Sequence, residues 1–186
     1  KMEDVRLISS STDYLEALVR ELLEFITEEQ HGYVLDVRNI DIVDRIGFIC
    51  SNYLETAKAR SLDFRFVHEQ ESLMCAVDTK ILSKIVNNLL HNALKYADSY
   101  VRVELKAQED SLKIIFTNDG NIIPDDKREM IFKPFVHFDN GAECARSFGI
   151  GLPLARKLSQ LHGGSLELSE RRDCNEFVVS LPLRLV

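Results

Sequence analysis

The spacing of hydrophobic residues predicts that the chain begins with one long amphipathic helix. Across residues 5–29, apolar side chains recur every seven positions at Ile8, Leu15 and Leu22, and Leu18 takes the alternate seam position. So wide an apolar stripe at helical spacing is typical of a helix that packs in a bundle. Because such a helix is not stable alone in water, we expect partner helices, either from a second copy of the chain or from sequence that is absent here.

Helical spacing recurs in three later segments, which span residues 41–61, 78–96 and 152–161. Asp78 has the side chain of a helix N-cap, and the glycine pair at residues 163–164 is typical of a helix end. A shorter helix is predicted after Pro124, where proline and the acids that follow it favour a first helical turn.

Alternating apolar and polar residues predict the strands. Strands are predicted at residues 35–42, 62–68, 73–77, 100–108, 112–117, 165–169 and 176–181, of which the first reads as a connector or an edge strand. The alternation is seen at residues 62–68, 100–108 and 112–117. Residues 100–108 and 112–117 are close enough to form an antiparallel hairpin. We therefore expect an α/β (α+β) two-layer sandwich, in which one mixed, mostly antiparallel sheet of about five strands carries three helices on one face.

Composition and charge narrow the class of protein. The chain of 186 residues is 45% hydrophobic and 28% charged, as is usual for a soluble globular protein, and it carries a net charge of −7. That charge argues against nucleic acid as the main partner. The sequence has no apolar run of 18 residues and no signal peptide, so we expect a chain that neither spans a membrane nor is exported by its own sequence. The four cysteines lie far apart, which indicates buried or incidental thiols rather than zinc ligands.

The helix predicted at residues 78–96 has a polar face that suits a metal-bound phosphate. Asn88, Asn92, Lys95 and Tyr96 fall on one side of it, opposite its apolar stripe. Amide oxygens suit a hard cation, and an ammonium group suits phosphate oxygens. A solvated helix face would give the same pattern, so this helix alone decides nothing.

Two glycine-containing motifs follow downstream. Asn118, Asp119 and Gly120 form a turn signal directly after a strand, and Gly149 and Gly151 precede a helix. Glycines at a helix start let a phosphate lie against free backbone N–H groups. Each motif is weak by itself, because many loops contain it.

The order and spacing of the motifs are specific. The chain reads NxxxNxxKY, a strand hairpin, NDGxxIP, IFxPF, a loop, GxGL, and a helix that ends in HGG. Over residues 41–186 this order resembles the catalytic ATP-binding domain of sensor histidine kinases, within the superfamily that includes DNA gyrase and the heat-shock ATPases. Residues 1–32 resemble the second helix of the dimerisation and histidine-phosphotransfer hairpin, which leaves residues 33–186 as the catalytic domain. The overall pattern is similar to hybrid two-component sensors of Bacteroides-like bacteria.

The resemblance implies an ATP and Mg²⁺ site. Its residues would be Asn88, Asn92, Lys95, Tyr96, Asn118, Asp119, Gly120, Ile123, Phe132, Phe135, Arg146, Gly149, Ile150, Gly151 and Leu152. Asn92 matches the family's Mg²⁺ ligand, Lys95 would contact phosphate, and Tyr96 would line the nucleotide. Asn118 would accept a hydrogen bond from the adenine amino group, with Asp119 as the rival candidate.

The resemblance assigns the remaining motifs to the nucleotide's surroundings. Gly120 would let the backbone approach the base, and Phe132 and Phe135 would anchor a mobile loop at residues 136–148. Arg146 in that loop would contact phosphate, and the glycines at 149 and 151 would cradle the phosphates.

Three positions depart from the family pattern and are expected to weaken nucleotide binding. Asn118 replaces an aspartate and is a neutral, weaker acceptor. Ile122 replaces the second glycine of the first glycine motif, and Ser147 replaces the first glycine of the second motif.

None of the five histidines lies in a motif like that of the family's phosphate acceptor. They are His31, His68, His91, His137 and His162. We therefore expect a fragment that binds ATP and Mg²⁺ but cannot phosphorylate itself without an acceptor helix upstream of Lys1. The resemblance further implies homodimerisation of the full-length protein, relay to the receiver domain of a response regulator, and a cytoplasmic position, as part of an inner-membrane sensor.

Three other functions stay open. A gyrase-type ATPase and an anti-sigma-factor serine kinase both use a general-base glutamate where this chain has Asn88, and an amide cannot take a proton from water. The third is a docking and dimerisation module whose nucleotide site has degenerated, which the three departures keep open.

Overall fold

The computed structural model describes residues 34–108, 110–136 and 149–183. The helix predicted at residues 5–29 lies outside these ranges, as do Arg146 and Ser147, so the predictions made for them stay predictions.

Four helices and seven strands are formed by the described residues. The helices are α1 (Ile42–Ser51), α2 (Leu54–Ala59), α3 (Thr79–Tyr96) and α4 (Gly151–Leu161). The strands are β1 (Val37–Asp41), β2 (Asp63–His68), β3 (Met74–Asp78), β4 (Tyr100–Gln108), β5 (Ser111–Asn118), β6 (Ser165–Leu168) and β7 (Asn175–Pro182). Among these residues, no helix has the length and hydropathy needed to cross a bilayer.

The main sheet confirms the predicted mixed, mostly antiparallel architecture. Its strand order is β2-β4-β5-β7-β6, in which only β2 and β4 run parallel. Strands β4 and β5 form the predicted hairpin, and their register pairs Val101 with Asn118. The register of the next pair places Asn118 opposite Asn175.

The prediction of a single sheet was wrong, because β1 and β3 form a separate two-stranded antiparallel sheet. Each of these strands runs directly into a helix and ends in an aspartate that caps it. Asp41 accepts from the N–H of Val43, and Asp78 accepts from the N–H of Lys80, both at 2.9 Å. The two strands thus pair where α1 and α3 begin, and Asp78 is the N-cap that the sequence predicted.

Two predicted helices differ in the structure. The segment 41–61 is interrupted after Ser51, where the N–H groups of Asn52 and Tyr53 bond three residues back to Ile49 and Cys50, at 3.2 and 3.0 Å. Such tightened bonds end a helix, and a new one begins at Leu54. The helix after Pro124 is instead two 3₁₀ turns, Asp125–Lys127 and Met130–Phe132.

The hydrophobic core lies between the helices and one face of the main sheet. Helix α3 contributes the longest apolar stripe, in which Ile81, Ile85 and Leu89 are at most 1% exposed. Burying a side chain of this size contributes roughly 1.5–3 kcal/mol relative to leaving it in water. The opposite face of α3 is polar, so burial of the stripe fixes the direction in which that polar face points.

Candidate functional site

The polar face of α3 carries Asn88, Asn92, Lys95 and Tyr96, which are all half-buried. Residues three to four positions apart lie above one another on a helix, so these side chains form one row. The Lys95 Nζ lies 4.9 Å from the centroid of the Tyr96 ring, which is a cation–π distance. This row places amide groups and an ammonium group side by side, as the sequence predicted.

Helix α4 begins beside this row, at Asn88. The Asn88 Nδ2 donates to the Lys84 carbonyl at 2.9 Å, within α3 itself. A Cβ atom built on Gly151 would lie 3.0 Å from the Asn88 Oδ1, which is tighter than most real contacts. Glycine at position 151 therefore lets the first turn of α4 approach the polar face of α3.

The first turn of α4 offers main-chain N–H groups. The first intrahelical bond joins the N–H of Leu154 to the Ile150 carbonyl at 2.9 Å. The N–H groups of Gly151 and Leu152 thus lack an acceptor within the helix, and Pro153 has no N–H. Ile150 is 1% exposed, so its side chain belongs to the core rather than to a ligand surface. A helix start of this kind favours a phosphate group.

Phe135 and Gly149 lie on either side of residues 137–148, close to where the described part of the chain stops at Val136 and resumes at Gly149. The Phe135 N–H donates to the Gly149 carbonyl at 3.1 Å, and both residues have φ of +64°. A Cβ on Gly149 would lie 2.7 Å from the Val136 carbonyl oxygen, so this position requires glycine. The Phe135 side chain is 61% exposed.

Phe132 has a different environment from Phe135, because it is buried. Its ring meets Phe177 edge-on at a centroid distance of 6.4 Å, and the Arg156 guanidinium lies 4.3 Å from its centroid. Arg156 also forms an ion pair with Glu129 at 2.9 Å. Through Phe132, the residues just before position 137 therefore pack against both β7 and α4.

Gly120 brings the turn after β5 against the last residue of α3. A Cβ on Gly120 would lie 1.6 Å from the Tyr96 carbonyl oxygen and 3.1 Å from the Asn118 Nδ2. No side chain can occupy that space, so this glycine is what allows the close approach. As a result, Asn118 and Tyr96 border the same small region.

Asn118 is the last residue of β5 and is 2% exposed. Its Nδ2 is buried and has no hydrogen-bond partner among the described residues. A buried donor without a partner costs about 1–3 kcal/mol, so native proteins rarely leave one. A ligand with an acceptor at this position would remove that cost.

Asp119 has a structural contact that the sequence analysis did not foresee. Its carboxylate accepts from the N–H groups of Asp98, Ser99 and Tyr100 at 3.0–3.2 Å, and from the Ser99 hydroxyl. Partial burial would raise the pKa of Asp119, but the hydrogen bonds from Ser99 and Tyr100 outweigh it and hold the pKa at about 2. This carboxylate holds the loop before β4, and these contacts favour Asn118 over its rival Asp119 as the candidate acceptor for a base.

Asn175 belongs to this region, although no sequence motif named above includes it. It begins β7 opposite Asn118, and its side chain bonds the main chain at Gly120, Asn121 and Ile123. Its partners lie 52 to 55 positions away in sequence. No local pattern signals a contact over that separation.

These residues suit a nucleotide with a bound cation. The α3 face supplies amide and ammonium groups, the start of α4 supplies N–H donors, and the turn after β5 supplies a buried amide without a partner. The structure forms two close contacts at this site: Gly151 lies against Asn88, and Gly120 lies against Tyr96 and Asn118. Helix α3 connects the two contacts, because it carries both Asn88 and Tyr96.

A family model supports the same reading. The model described as "Histidine kinase-, DNA gyrase B-, and HSP90-like ATPase" matches residues 77–185, which is more than half of the chain. The match begins just before α3 and includes every described residue of the predicted site.

Curated relatives carry sensor-protein names. The chain is 28% identical over 171 residues to Sensor protein VanSC of Enterococcus gallinarum, covering 90% of this chain and 47% of that protein. It is 25% identical over 182 residues to Alginate biosynthesis sensor protein KinB of Pseudomonas aeruginosa, covering 96% of this chain and 30% of that protein. The chain thus spans less than half the length of these relatives.

Solved structures share the fold. Full-length ShkA in complex with AMPPNP matches with a TM-score of 0.88 at 20% identity, over 100% of this chain and 39% of that one. Histidine kinase ThkA in complex with response regulator protein TrrA matches with a TM-score of 0.79 at 22% identity, over 97% of this chain and 50% of that one.

Proposed function

Because this chain belongs to the histidine kinase-, DNA gyrase B- and HSP90-like ATPase family, we propose that it is the ATP-binding kinase domain of a two-component sensor histidine kinase. Its role is to hold ATP while the γ-phosphoryl group passes to a histidine on a hairpin helix. The observation that carries the proposal is the buried Asn118 Nδ2, which lacks a partner where the turn after β5 meets the polar face of α3.

The nucleotide's base is bound at the turn after β5. The Asn118 amide faces the base with one acceptor and one donor, and the adenine edge offers the complementary amino group and ring nitrogen. Because Asn118 is neutral, its bond to the amino group is weaker than that of a carboxylate. Gly120 lets the turn lie directly against the Tyr96 carbonyl, which brings Asn118 and Tyr96 to the same side of the base.

The phosphates are held between α3 and α4. Lys95 supplies the positive charge, and the N–H groups at Gly151 and Leu152 supply donors at a helix start. Mg²⁺ is held by the Asn92 amide oxygen together with phosphate oxygens, since Mg²⁺ needs few protein ligands when phosphates are present. In the described part of the chain, no group of three or more His, Cys, Asp or Glu residues could hold a metal by itself.

The phosphate acceptor is a histidine on another helix. Among the described histidines, His68 bonds Gln70 from a strand, His162 is fully buried, and His91 lies on α3. None of these three has the setting of an in-line nucleophile in a bundle helix. The acceptor is a histidine of a hairpin helix outside the described residues, supplied in cis or by a partner chain in a dimer of the full-length protein.

The phosphoryl group then passes to an aspartate of a response-regulator receiver domain. The complex of ThkA with TrrA supports this kind of partner by analogy of fold. The relatives are named as sensor proteins, and we propose that this chain works on the cytoplasmic side of an inner-membrane sensor.

ATP hydrolysis is a poorer explanation of the site. Its general base would occupy position 88, where the Asn88 amide instead bonds the Lys84 carbonyl and packs against Gly151. An amide cannot accept a proton from water at neutral pH. A docking module with a degenerate pocket is not favoured either, because the close contacts at Gly120 and Gly151 keep the nucleotide site in shape.

The first test is a titration of the chain with a non-hydrolysable ATP analogue, with and without Mg²⁺. We expect binding that requires Mg²⁺ and that weakens at least about tenfold in Asn92→Ala. Asn87→Ala is the matched control, because Asn87 lies on the same helix, is exposed, and bonds Tyr53 instead. Binding that ignores Mg²⁺, or an equal loss in both variants, would contradict the assignment of Asn92.

The second test supplies the missing acceptor. The chain is mixed with radiolabelled ATP and a separate hairpin domain that carries the acceptor histidine. We expect label on the hairpin and none on this chain, and we expect Asn92→Ala to abolish transfer. Label on His68 or His91 would refute the proposal.

A further inference from the structure

We infer that Asn175 is a positioning residue, which fixes the turn at residues 118–123 and thereby sets the affinity and selectivity of this site for the nucleotide's base. The inference rests on the proposed function, since it concerns the base of the bound nucleotide. It adds a residue that lies outside the sequence motifs that carry the family resemblance, and it assigns that residue a measurable effect on base binding.

The side chain of Asn175 makes three hydrogen bonds to one short segment. Its Oδ1 accepts from the Ile123 N–H at 3.0 Å, and its Nδ2 donates to the carbonyls of Asn121 at 3.0 Å and Gly120 at 3.3 Å. The residue is 4% exposed. One amide thus satisfies three main-chain groups that no strand or helix pairs.

The turn needs this support because its own sequence does not fix it. Residues 121–124 form neither a strand nor a helix. Ile122 is 38% exposed and occupies a position where the resemblance leads one to expect a second glycine. The hydrogen bonds of the Asn175 amide therefore hold this turn in place, as main-chain hydrogen bonds between strands do elsewhere in the sheet.

The turn also carries the groups that face the base. Asn118 is the direct neighbour of Asn175 across the two strands, and Gly120 rests against the Tyr96 carbonyl. A shift of the turn would move the main chain at Gly120 and change the space around the Asn118 amide. The phosphate groups would be unaffected, because Asn92, Lys95 and Gly151 lie on α3 and α4.

Because the base and the phosphates are bound by different elements, the experiment compares ligands with and without a base. The chain and its variants Asn175→Ala and Asn175→Asp are titrated with Mg²⁺-ATP, Mg²⁺-GTP and Mg²⁺-tripolyphosphate. Asn175→Asp keeps the acceptor for Ile123 but sets a carboxylate oxygen against two carbonyls. Thr117→Val is the matched control, because the buried Thr117 hydroxyl has no partner among the described residues and lies one position from Asn118.

We expect both Asn175 variants to lose about tenfold in affinity for Mg²⁺-ATP and to discriminate less between ATP and GTP. Affinity for Mg²⁺-tripolyphosphate stays within about twofold, and Thr117→Val binds all three ligands as the unchanged chain does. A thermal unfolding curve is measured for each variant, and binding is measured at a temperature at which that variant is folded. If Asn175→Ala does not fold, the base selectivity of Asn175→Asp decides.

Two results would overturn the inference alone. One is unchanged ATP affinity and selectivity in folded Asn175 variants. The other is an equal loss for ATP and tripolyphosphate, which would mean that Asn175 supports the whole fold rather than the base. Failure of the unchanged chain to bind any nucleotide would instead refute the proposed function, and the inference with it.

Discussion

The His162 side chain at the end of α4 accepts a hydrogen bond from the Asp78 N–H at the start of α3, with 2.9 Å between Nε2 and the nitrogen. The acceptor must be an unprotonated nitrogen, so the proton of the neutral ring is on Nδ1. This ring is fully buried, and it ties together the two helices that carry the phosphate-binding groups.

Stability should therefore fall when the pH drops below about 6.5, the usual pKa of histidine. Burial lowers the pKa of His162, although a hydrogen bond with its own backbone and the charge of Asp78 oppose this, so the unfolded chain binds the proton more readily. The contribution is complete above the unfolded pKa and is lost progressively as the pH falls from there towards the folded pKa. Urea unfolding at pH 5 to 8 measures the slope.

The histidine responsible can be identified by two variants. His162→Gln should flatten the pH dependence, and His91→Gln should flatten it less. The pKa of His91 is also lowered, by burial and by the charges of Lys95 and Arg60. However, His91 is exposed to solvent, which screens these charges, so its contribution to the slope should be smaller. Equal slopes in the unchanged chain and in His162→Gln would rule out His162 as the source.

Gly120→Ala should destabilise the chain by about 3 kcal/mol or more, because its Cβ would overlap a main-chain oxygen that cannot rotate away. The overlap is with the Tyr96 carbonyl, at 1.6 Å. Gly47→Ala is the matched control, since its Cβ would meet only the Phe66 ring at 3.5 Å inside a helix. We expect that control to gain up to about 1 kcal/mol, as alanine usually does in helices. Similar unfolding free energies for the two variants would contradict the packing described here.

Asp119→Asn should cost about 1–3 kcal/mol at pH 7, because an amide replaces a carboxylate that accepts from three N–H groups and a hydroxyl. The pKa of Asp119 is about 2 in the fold and its ordinary value is 3.8. Its contribution is therefore present above the unfolded pKa and is lost as the pH falls towards 2. The difference between the two proteins should shrink over that range in acid unfolding. Asp98→Asn controls for the loss of a neighbouring charge, and an equal effect there would refute the role of Asp119.

The elements predicted correctly are those whose signal is local. Helix α3 has a continuous apolar stripe over 18 residues and an aspartate N-cap, and strand β4 of the hairpin alternates apolar and polar residues. In the segment 41–61, the helical spacing of apolar residues continues beyond Ser51, at Tyr53 and Ala57. Spacing alone therefore could not reveal the tightened turn at Asn52.

Long-range pairing explains what the sequence analysis missed. Asn118 and Asp119 are adjacent in sequence and could not be separated by composition. Asn118 ends β5 and is buried, whereas Asp119 follows the strand and bonds the loop at Ser99. Asn175 enters the site only through the pairing of β5 with β7, which no window of the sequence contains.

The main-chain angle of Phe135 leads to a prediction about the order of two variants. A residue with a side chain at φ of +64° is strained by roughly 1–2 kcal/mol, whereas glycine is not. Phe135→Gly should therefore be more stable than Phe135→Ala by about 1 kcal/mol, which reverses the usual order of these two residues. Both variants lose the same exposed ring, so their difference isolates the backbone.

Lys133 supplies the matched pair, because it is exposed, lies two residues earlier, and has an ordinary φ of −87°. There, alanine should be at least as stable as glycine, since glycine loses more conformational entropy on folding. The unfolding free energies of the four variants, measured in urea, test the prediction. If Phe135→Ala equals or exceeds Phe135→Gly, the bond from Phe135 to Gly149 does not hold residue 135 in the left-handed region in solution.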